Sequence, residues 1–215
     1  MDLSRNFGDA VKRFWIASLA AAAVAAASTT AVYAQDGVDK ARAAAFDKRM
    51  FAGPIGQKSS ACFVRRYDAS HLMQHPKQKV HAMKLLVTAE NPPEEKTTNY
   101  SFRLAVKYRD RAGDFDSSGY CNHIVAENTC NEIRFGCGVD CEGGGIVVAM
   151  AKDDKSAIIR LQRIVLWERN KSDDDASDSL TAGTDDKIFR VDRVDVRECA
   201  ELMTDGHELA AIIPE

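Results

Sequence analysis

The sequence predicts an all-β domain in which antiparallel strands follow one another as a meander and close into a small barrel. Two observations favour this class. In residues 100–109, "YSFRLAVKYR", five apolar or aromatic side chains alternate with other residues, and this period of two is typical of a strand with one buried face. Further alternating runs are separated by polar segments rich in Asp, Ser and Gly, as expected for strands joined by hairpin-like turns.

The strand pattern recurs along the chain, and we expect seven or eight strands in all. The segments that carry it are 78–90, 100–109, 130–136, 145–152, 157–169 and 187–198. In the last of these the period slips by one residue between Val191 and Val194, which indicates a β-bulge. Strands of this length leave open edges unless the sheet closes or stacks. A barrel is therefore expected, with a β-sandwich as the alternative.

Two short helices are expected beside the strands. Residues 37–51 alternate charge with alanine as an amphipathic helix does, and Gly53-Pro54 ends the segment. The stretch "YDASHLMQHP" can be capped by Asp68 or Ser70 and is stopped by Pro76. We expect these N-terminal and capping helices to cover the ends of the barrel.

Residues 1–34 have the layout of a secretory signal peptide. Arg5, Lys12 and Arg13 form a positive region, an alanine-rich apolar run follows, and small residues at Val32 and Ala34 precede the expected cleavage site. The apolar run is shorter than the roughly 20 residues of a membrane span, so we expect cleavage and not retention as an anchor. The predicted destination is the bacterial periplasm or the exterior.

Residues 35–215 are expected to form a single domain. The whole chain of 215 residues carries 29 basic and 32 acidic side chains, a net charge of −3. This balance does not favour a nucleic-acid partner, which would need a clustered basic face. No second apolar stretch follows the predicted signal peptide, so no membrane span is expected after cleavage.

An even number of cysteines in an exported chain predicts disulfides. All six follow the predicted cleavage site: Cys62, Cys121, Cys130, Cys137, Cys141 and Cys199. A bridge from Cys62 to Cys199 is preferred because closing such a long loop would stabilise the fold by about 4 to 5 kcal/mol. For the other four, Cys121–Cys141 and Cys130–Cys137 are expected, since the chain between them can double back as a hairpin. A zinc site is the alternative, and their uneven spacing matches it poorly.

A second candidate metal site consists of histidines. His71 and His75 lie four residues apart and would share one face of a helix, and His81 follows at the next strand. Three imidazoles are a ligand set for zinc or copper. No Glu stands between His71 and His75 as the H-E-x-x-H pattern requires, so a packing or surface role is the alternative and no cofactor is expected.

"DFDSSG", residues 114–119, reproduces the opening of a calcium-binding loop. The twelfth position of that loop is Val125 where the pattern requires Glu. A tight hairpin turn explains the same residues.

The sequence contains neither a nucleophile elbow nor a phosphate-binding loop, which favours non-catalytic binding over catalysis without excluding an enzyme. We expect an exported binding or envelope-associated protein that holds a small apolar ligand inside the barrel. The candidate lining residues are Tyr100, Phe102, Tyr108, Trp167 and Phe189, whose alternative role is core packing. Two other functions are open: a rigid protein-interaction domain, and a metal-dependent enzyme that uses the region of His71, His75 and His81.

The strand number, together with a bridge from the C-terminal region to the start of the barrel, resembles calycin-like barrels such as lipocalins. The G-x-W entry motif of lipocalins is missing, because neither Trp15 nor Trp167 follows such a glycine. The resemblance is architectural and assigns no residue a function.

Overall fold

A computed structural model describes residues 38–126, 131–169, 171 and 177–203. It contains nine strands: β1 (Lys58–Arg66), β2 (Val80–Glu90), β3 (Asn99–Tyr108), β4 (Phe115–Ala126), β5 (Glu132–Gly138), β6 (Gly144–Met150), β7 (Ser156–Glu168), β8 (Ser177–Thr181) and β9 (Ile188–Val194). Two α-helices, α1 (Lys40–Met50) and α2 (Ala69–Gln74), and a 3₁₀ helix (Val196–Leu202) complete the described elements. The predicted signal peptide and Cys130 lie outside the described residues.

The strands form an antiparallel meander that closes into a ring of eight, which confirms the predicted fold class. Each strand from β1 to β7 pairs with the next one, and β9 then lies between β7 and β1. The first part of β7 pairs with β9, while its second part, from Arg163 to Trp167, pairs with β8. β7 is therefore long enough to pair with both β9 and β8 along the same edge.

The ring encloses a core of large apolar side chains. Five phenylalanines are among its fully buried members: Phe63, Phe102, Phe115, Phe135 and Phe189. Each of them comes from a different strand, and all five belong to one hydrophobic cluster. Two of them, Phe102 and Phe189, are among the candidate lining residues of the sequence analysis.

Helix α1 packs against the end of the barrel where β3 begins and β4 ends. Asp39 caps its first turn by accepting a 3.0 Å hydrogen bond from the Arg42 amide. Its buried side chains Phe46 and Met50 join the core. Arg193 of β9 donates to the Met50 carbonyl at 2.9 Å, so the end of the helix is also tied to the barrel.

Three strands differ from the sequence-based expectation. β1, β4 and β8 were not predicted. β1 has no regular alternation, β8 lies inside a polar segment, and β4 begins in a segment that was assigned to a turn or a calcium loop. β4 begins inside "DFDSSG", so this segment is neither a calcium loop nor a tight turn. Asp116 faces outward from β4 and receives two hydrogen bonds from Arg169, at 2.6 and 2.7 Å, while Ser117 is buried.

The bulge predicted in the last strand is also wrong. β9 pairs in regular register with β7 and β1 up to Val194, and the 3₁₀ helix starts two residues later. The change of period therefore marks the end of the strand. Leu202 and Met203 then pack on the outer face of the barrel, against Val64 and Leu86.

The described residues form two disulfides, and one of them was predicted correctly. Cys62 and Cys199 are bonded, so the bridge ties the 3₁₀ helix to the outer face of β1. Cys121 is bonded to Cys137, which makes the predicted pairs Cys121–Cys141 and Cys130–Cys137 wrong. The reason is the register of β4 and β5, which places Cys121 directly opposite Cys137. Cys141 is an exposed free thiol in the β5–β6 turn.

Within the described part of the chain, we find no helix with the length and apolar character needed to cross a membrane.

Candidate functional site

The aromatic residues expected to line a ligand cavity belong mainly to the core. Phe102 and Phe189 are each 1% exposed. Tyr100 and Tyr108 are partly buried and pack against the same cluster. Trp167 follows the buried Leu166 on β7 and so takes the opposite, outer face of that strand. These positions fit packing better than ligand contact.

Tyr100 belongs to a polar cluster under α1. The buried carboxylate of Asp47 accepts a 2.7 Å hydrogen bond from the Tyr100 hydroxyl on one oxygen, and its other oxygen lies 2.7 Å from Nε2 of His123. The rings of Phe46 and Phe135 enclose this cluster. Burial, followed by the bond to Asp47, raises the pKa of Tyr100 well above its ordinary value. The cluster fastens α1 to the barrel, since each carboxylate oxygen holds a different strand.

The three candidate metal ligands are not brought together. His71 and His75 stack on each other with ring centroids 4.3 Å apart, while His81 lines a separate cleft beside Lys84 and Arg169. In the described ranges no three His, Cys, Asp or Glu side chains converge in a way that would hold a metal ion. The geometry therefore gives no support to a zinc or copper site at these histidines.

A groove of about 720 Å³ on the outer face of the barrel is a stronger candidate site. We call it the basic groove. It runs over the strands from β4 to β7 and the start of β9, and its volume lies within the range of small-molecule sites. Among the described residues that line it, none is acidic and four are basic: Arg134, Arg160, Arg163 and Lys187. In a chain with a net charge of −3, this is a local concentration of positive charge.

Strand register assembles the centre of the basic groove. Arg160 of β7 lies opposite Val147 of β6 on one side and opposite Ile188 of β9 on the other. Directly opposed residues of an antiparallel pair point to the same face, so these three side chains form a row. Ile188 is 53% exposed, which is unusual for a large apolar side chain. In this row the guanidinium-bearing side chain of Arg160 lies between the apolar side chains of Val147 and Ile188.

Two glycines shape the groove floor where β5, β6 and β7 meet. A Cβ atom on Gly145 would lie 2.1 Å from the Cys137 carbonyl oxygen, so only glycine allows the two backbones to approach this closely. Gly144 has a φ of +75°, a conformation that side chains rarely adopt, and here too a Cβ atom would meet a backbone oxygen. The glycine run of "CEGGG" thus serves close strand packing beneath the groove.

The basic side chains of the groove differ in their partners. Arg134 pairs with Glu132 at 2.8 Å, and Arg163 donates to the Glu142 carbonyl. Arg160 and Lys187 are exposed and form no ion pair with any side chain in the described ranges. Their charges are therefore available to an anion at little cost in existing contacts.

A second cavity of about 400 Å³ lies next to the basic groove, and we call it the histidine pocket. Tyr67, His71 and His75 form a stack along its wall, with successive centroids 4.5 and 4.3 Å apart. Arg65 packs over the Tyr67 ring at 5.2 Å, and Arg190 lines the opposite wall. Nε2 of His71 lies 3.0 Å from Oε1 of Gln78, which fixes the ring in the stack.

The sequence analysis did not identify the basic groove. Arg160 and Arg163 occupy the polar face of a correctly predicted strand, and nothing in a single strand distinguishes them from ordinary solvated residues. The signal that could have found them is the absence of neighbouring acidic residues across the sheet. That signal needs the register of β6, β7 and β9, which local sequence patterns do not contain.

Comparison with models of protein families, with curated proteins and with solved structures yields no match for this chain, so its interpretation depends on the chemistry of the groove.

Proposed function

We propose that this chain is an exported, non-catalytic binding protein that holds an anionic amphipathic ligand in the basic groove on the outside of its barrel. The observation that carries this proposal is the lining of the groove. In the described part of the chain it contains four basic side chains and no acidic one, with apolar side chains between them. A ligand with an apolar chain and a carboxylate or phosphate head matches both kinds of contact. We retain the ligand-binding function that the sequence predicted. The proposed site is on the outer face of the barrel, whereas the sequence analysis expected it in the interior.

The charge of the groove supports an anionic head. Guanidinium groups bind carboxylates and phosphates through paired, charge-assisted hydrogen bonds. Arg160 and Arg163 both extend from β7 on the groove side, and Lys187 lies at the entrance to β9. Binding of an anion here would be weakened by salt, since exposed charges are screened over about 8 Å at physiological ionic strength.

The apolar part of the groove supports a hydrocarbon chain. Ile124, Val147 and Ile188 lie on the outer face, where burial against a ligand would remove apolar surface from water. Each buried methylene contributes about 0.8 kcal/mol. A head group alone would lack this contribution, so we expect inorganic phosphate to bind far more weakly than an alkyl phosphate.

The compartment is part of the same proposal. The layout of residues 1–34 and the two disulfides favour an oxidising location, which for a bacterial protein is the periplasm or the exterior. The groove needs no cofactor to bind an anion.

A calorimetric titration with three detergents that share one chain tests this function. Dodecyl phosphate, dodecyl maltoside and dodecyltrimethylammonium differ in head-group charge, and each is used below its micelle-forming concentration. We expect measurable binding of dodecyl phosphate only, with an affinity that falls as salt is added. Equal binding of all three would show that the positive charges do not select the ligand, and no binding of dodecyl phosphate would overturn the proposal.

Matched variants locate the site. The double variant Arg160→Gln, Lys187→Gln removes two exposed charges of the groove, and we expect it to bind dodecyl phosphate at least about tenfold more weakly, or 1.4 kcal/mol. Lys96→Gln is the control, because Lys96 is an exposed cation in the β2–β3 connection and does not line the groove. An equal loss of affinity in both proteins would place the ligand elsewhere.

A further inference from the structure

Strands β1 and β9 separate at one end of the barrel. They pair through three residues only, with Cys62, Phe63 and Val64 opposite Val194, Arg193 and Asp192. Beyond this point the chain after β1 turns into α2, while β9 extends further along β7 to Ile188. The histidine pocket lies in the resulting gap, with Tyr67, His71 and His75 on one wall and the start of β9 on the other.

The basic groove and the histidine pocket adjoin each other at the start of β9. Lys187 and Ile188 line both cavities. Together the two cavities are lined by six basic side chains: Arg65, Arg134, Arg160, Arg163, Lys187 and Arg190. In the part of the chain that the structure describes, Asp185 is the single acidic residue that lines either cavity, and its carboxylate already accepts a hydrogen bond from the Lys77 amide at 3.2 Å.

Positive charge therefore occurs on both sides of an apolar centre. Arg160 and Arg163 lie on the groove side of Ile188, and Arg65 and Arg190 lie on the pocket side. Ile188 itself projects into solvent between them. A single-headed amphiphile would contact one of these charged regions and leave the other without a ligand contact.

We propose that the basic groove and the histidine pocket are two halves of one elongated site, and that its preferred ligand class is a dianion with an anionic group at each end of an apolar chain. This inference rests on the proposed function and adds the second anchoring point. One anionic group binds at Arg160 and Arg163. The chain crosses Ile188, and the other group binds at Arg190 and His75.

The environment of Arg190 suits this role. It is exposed, and its ion pairs are with Asp153 at 3.0 Å and with Asp192 at 4.0 Å, whose side chains are 46% and 51% exposed. Exposed ion pairs of this kind contribute little to stability, so an incoming phosphate or carboxylate can compete for the guanidinium. Arg65 is less suitable for substitution, because it packs on Tyr67 and pairs with Asp192 at 3.2 Å.

The test compares alkyl phosphates that have one head with bisphosphates that have two. Calorimetry would measure the affinities of octane-, dodecane- and hexadecane-bisphosphate beside that of dodecyl phosphate. Two identical ends raise the affinity twofold on statistical grounds alone. We expect a gain of about tenfold or more at the chain length that spans the two halves, because the second contact becomes intramolecular.

Variants separate the two halves. The double variant His75→Gln, Arg190→Gln should lose the gain: its affinity for the best bisphosphate should exceed its own affinity for dodecyl phosphate by no more than the twofold statistical factor. The control Arg197→Gln removes an exposed arginine that pairs with Asp195 and lines neither cavity, and it should keep the gain. Near-ultraviolet circular dichroism checks that each variant is folded.

The outcomes distinguish this inference from the proposed function. If dodecyl phosphate binds and no bisphosphate exceeds the twofold statistical gain, the two-headed ligand is excluded and the single groove site remains. If the gain persists in the His75→Gln, Arg190→Gln protein, the second head binds outside the histidine pocket and the inference is wrong. If neither class of phosphate binds, both proposals fail.

Discussion

The Tyr100 hydroxyl donates a 2.7 Å hydrogen bond to the buried carboxylate of Asp47, and this contact joins β3 to α1. His123 of β4 lies at the same distance from the other carboxylate oxygen. The helix is therefore held by two strands through one side chain. This arrangement allows the contribution of the helix attachment to be measured by small substitutions.

The first prediction compares two tyrosine-to-phenylalanine substitutions. Tyr100→Phe should lower the free energy of unfolding by about 1.5 to 3 kcal/mol, because it removes a hydrogen bond to a charged group. Tyr108→Phe should be close to neutral, since the buried Tyr108 hydroxyl has no hydrogen-bond partner in the described part of the molecule. Urea unfolding measures both values. Equal effects would contradict the role assigned to Asp47.

The second prediction concerns alkaline pH. Burial, together with the nearby charge of Asp178, raises the pKa of Tyr108 from its ordinary value of 10.0 to about 12. The fold thus favours the neutral phenol. The contribution of this preference to the free energy of unfolding is fully present below about pH 10. It is lost as the pH rises towards 12.

Phenolate absorbance of the native protein should accordingly rise at higher pH than that of the protein in urea. Tyr108→Phe should reduce the late part of this titration. Superimposable curves for the native and the unfolded protein would contradict the shift.

The third prediction concerns the disulfides. Peptide mapping without reduction should yield the pairs Cys62–Cys199 and Cys121–Cys137, and a thiol reagent should label Cys141 in the native protein. Recovery of Cys121 bonded to Cys141 would contradict the β4–β5 register.

The two bridges should also differ in their contribution to stability. The Cys62–Cys199 bridge spans 137 residues and the Cys121–Cys137 bridge spans 16. In the chain-entropy model these loops correspond to about 5 and about 3 kcal/mol. Replacing both cysteines of the longer loop by alanine should therefore lower the unfolding free energy more than the same change in the shorter loop, as measured in urea.

The fourth prediction concerns the floor of the basic groove. Gly145→Ala would place a methyl group 2.1 Å from the Cys137 carbonyl oxygen, so β5 and β6 must separate. We expect a loss of about 1 to 3 kcal/mol in unfolding free energy, together with weaker binding of dodecyl phosphate. Gly53→Ala is the control, because nothing lies within 4 Å of the added methyl group there. A tolerated Gly145→Ala would show that the strands are less closely packed.

Local sequence patterns were sufficient for the fold class. The alternation in residues 100–109 correctly identified which side chains of β3 face the core, because a strand presents a new face at every residue. Long strands joined by short polar turns required closure, and the ring of eight provides it. The same reasoning missed β8, because a five-residue strand in a polar segment carries no periodic signal.

The sequence by itself determined the antiparallel barrel and the bond between Cys62 and Cys199, which was preferred on loop length and is present in the structure. Only the tertiary structure decided the partner of Cys121, since the register of β4 and β5 places Cys137 directly opposite it. It also decided the basic groove. Arg160, Val147 and Ile188 come from three strands, and they become neighbours only when hydrogen bonding between the strands sets which residues stand opposite each other.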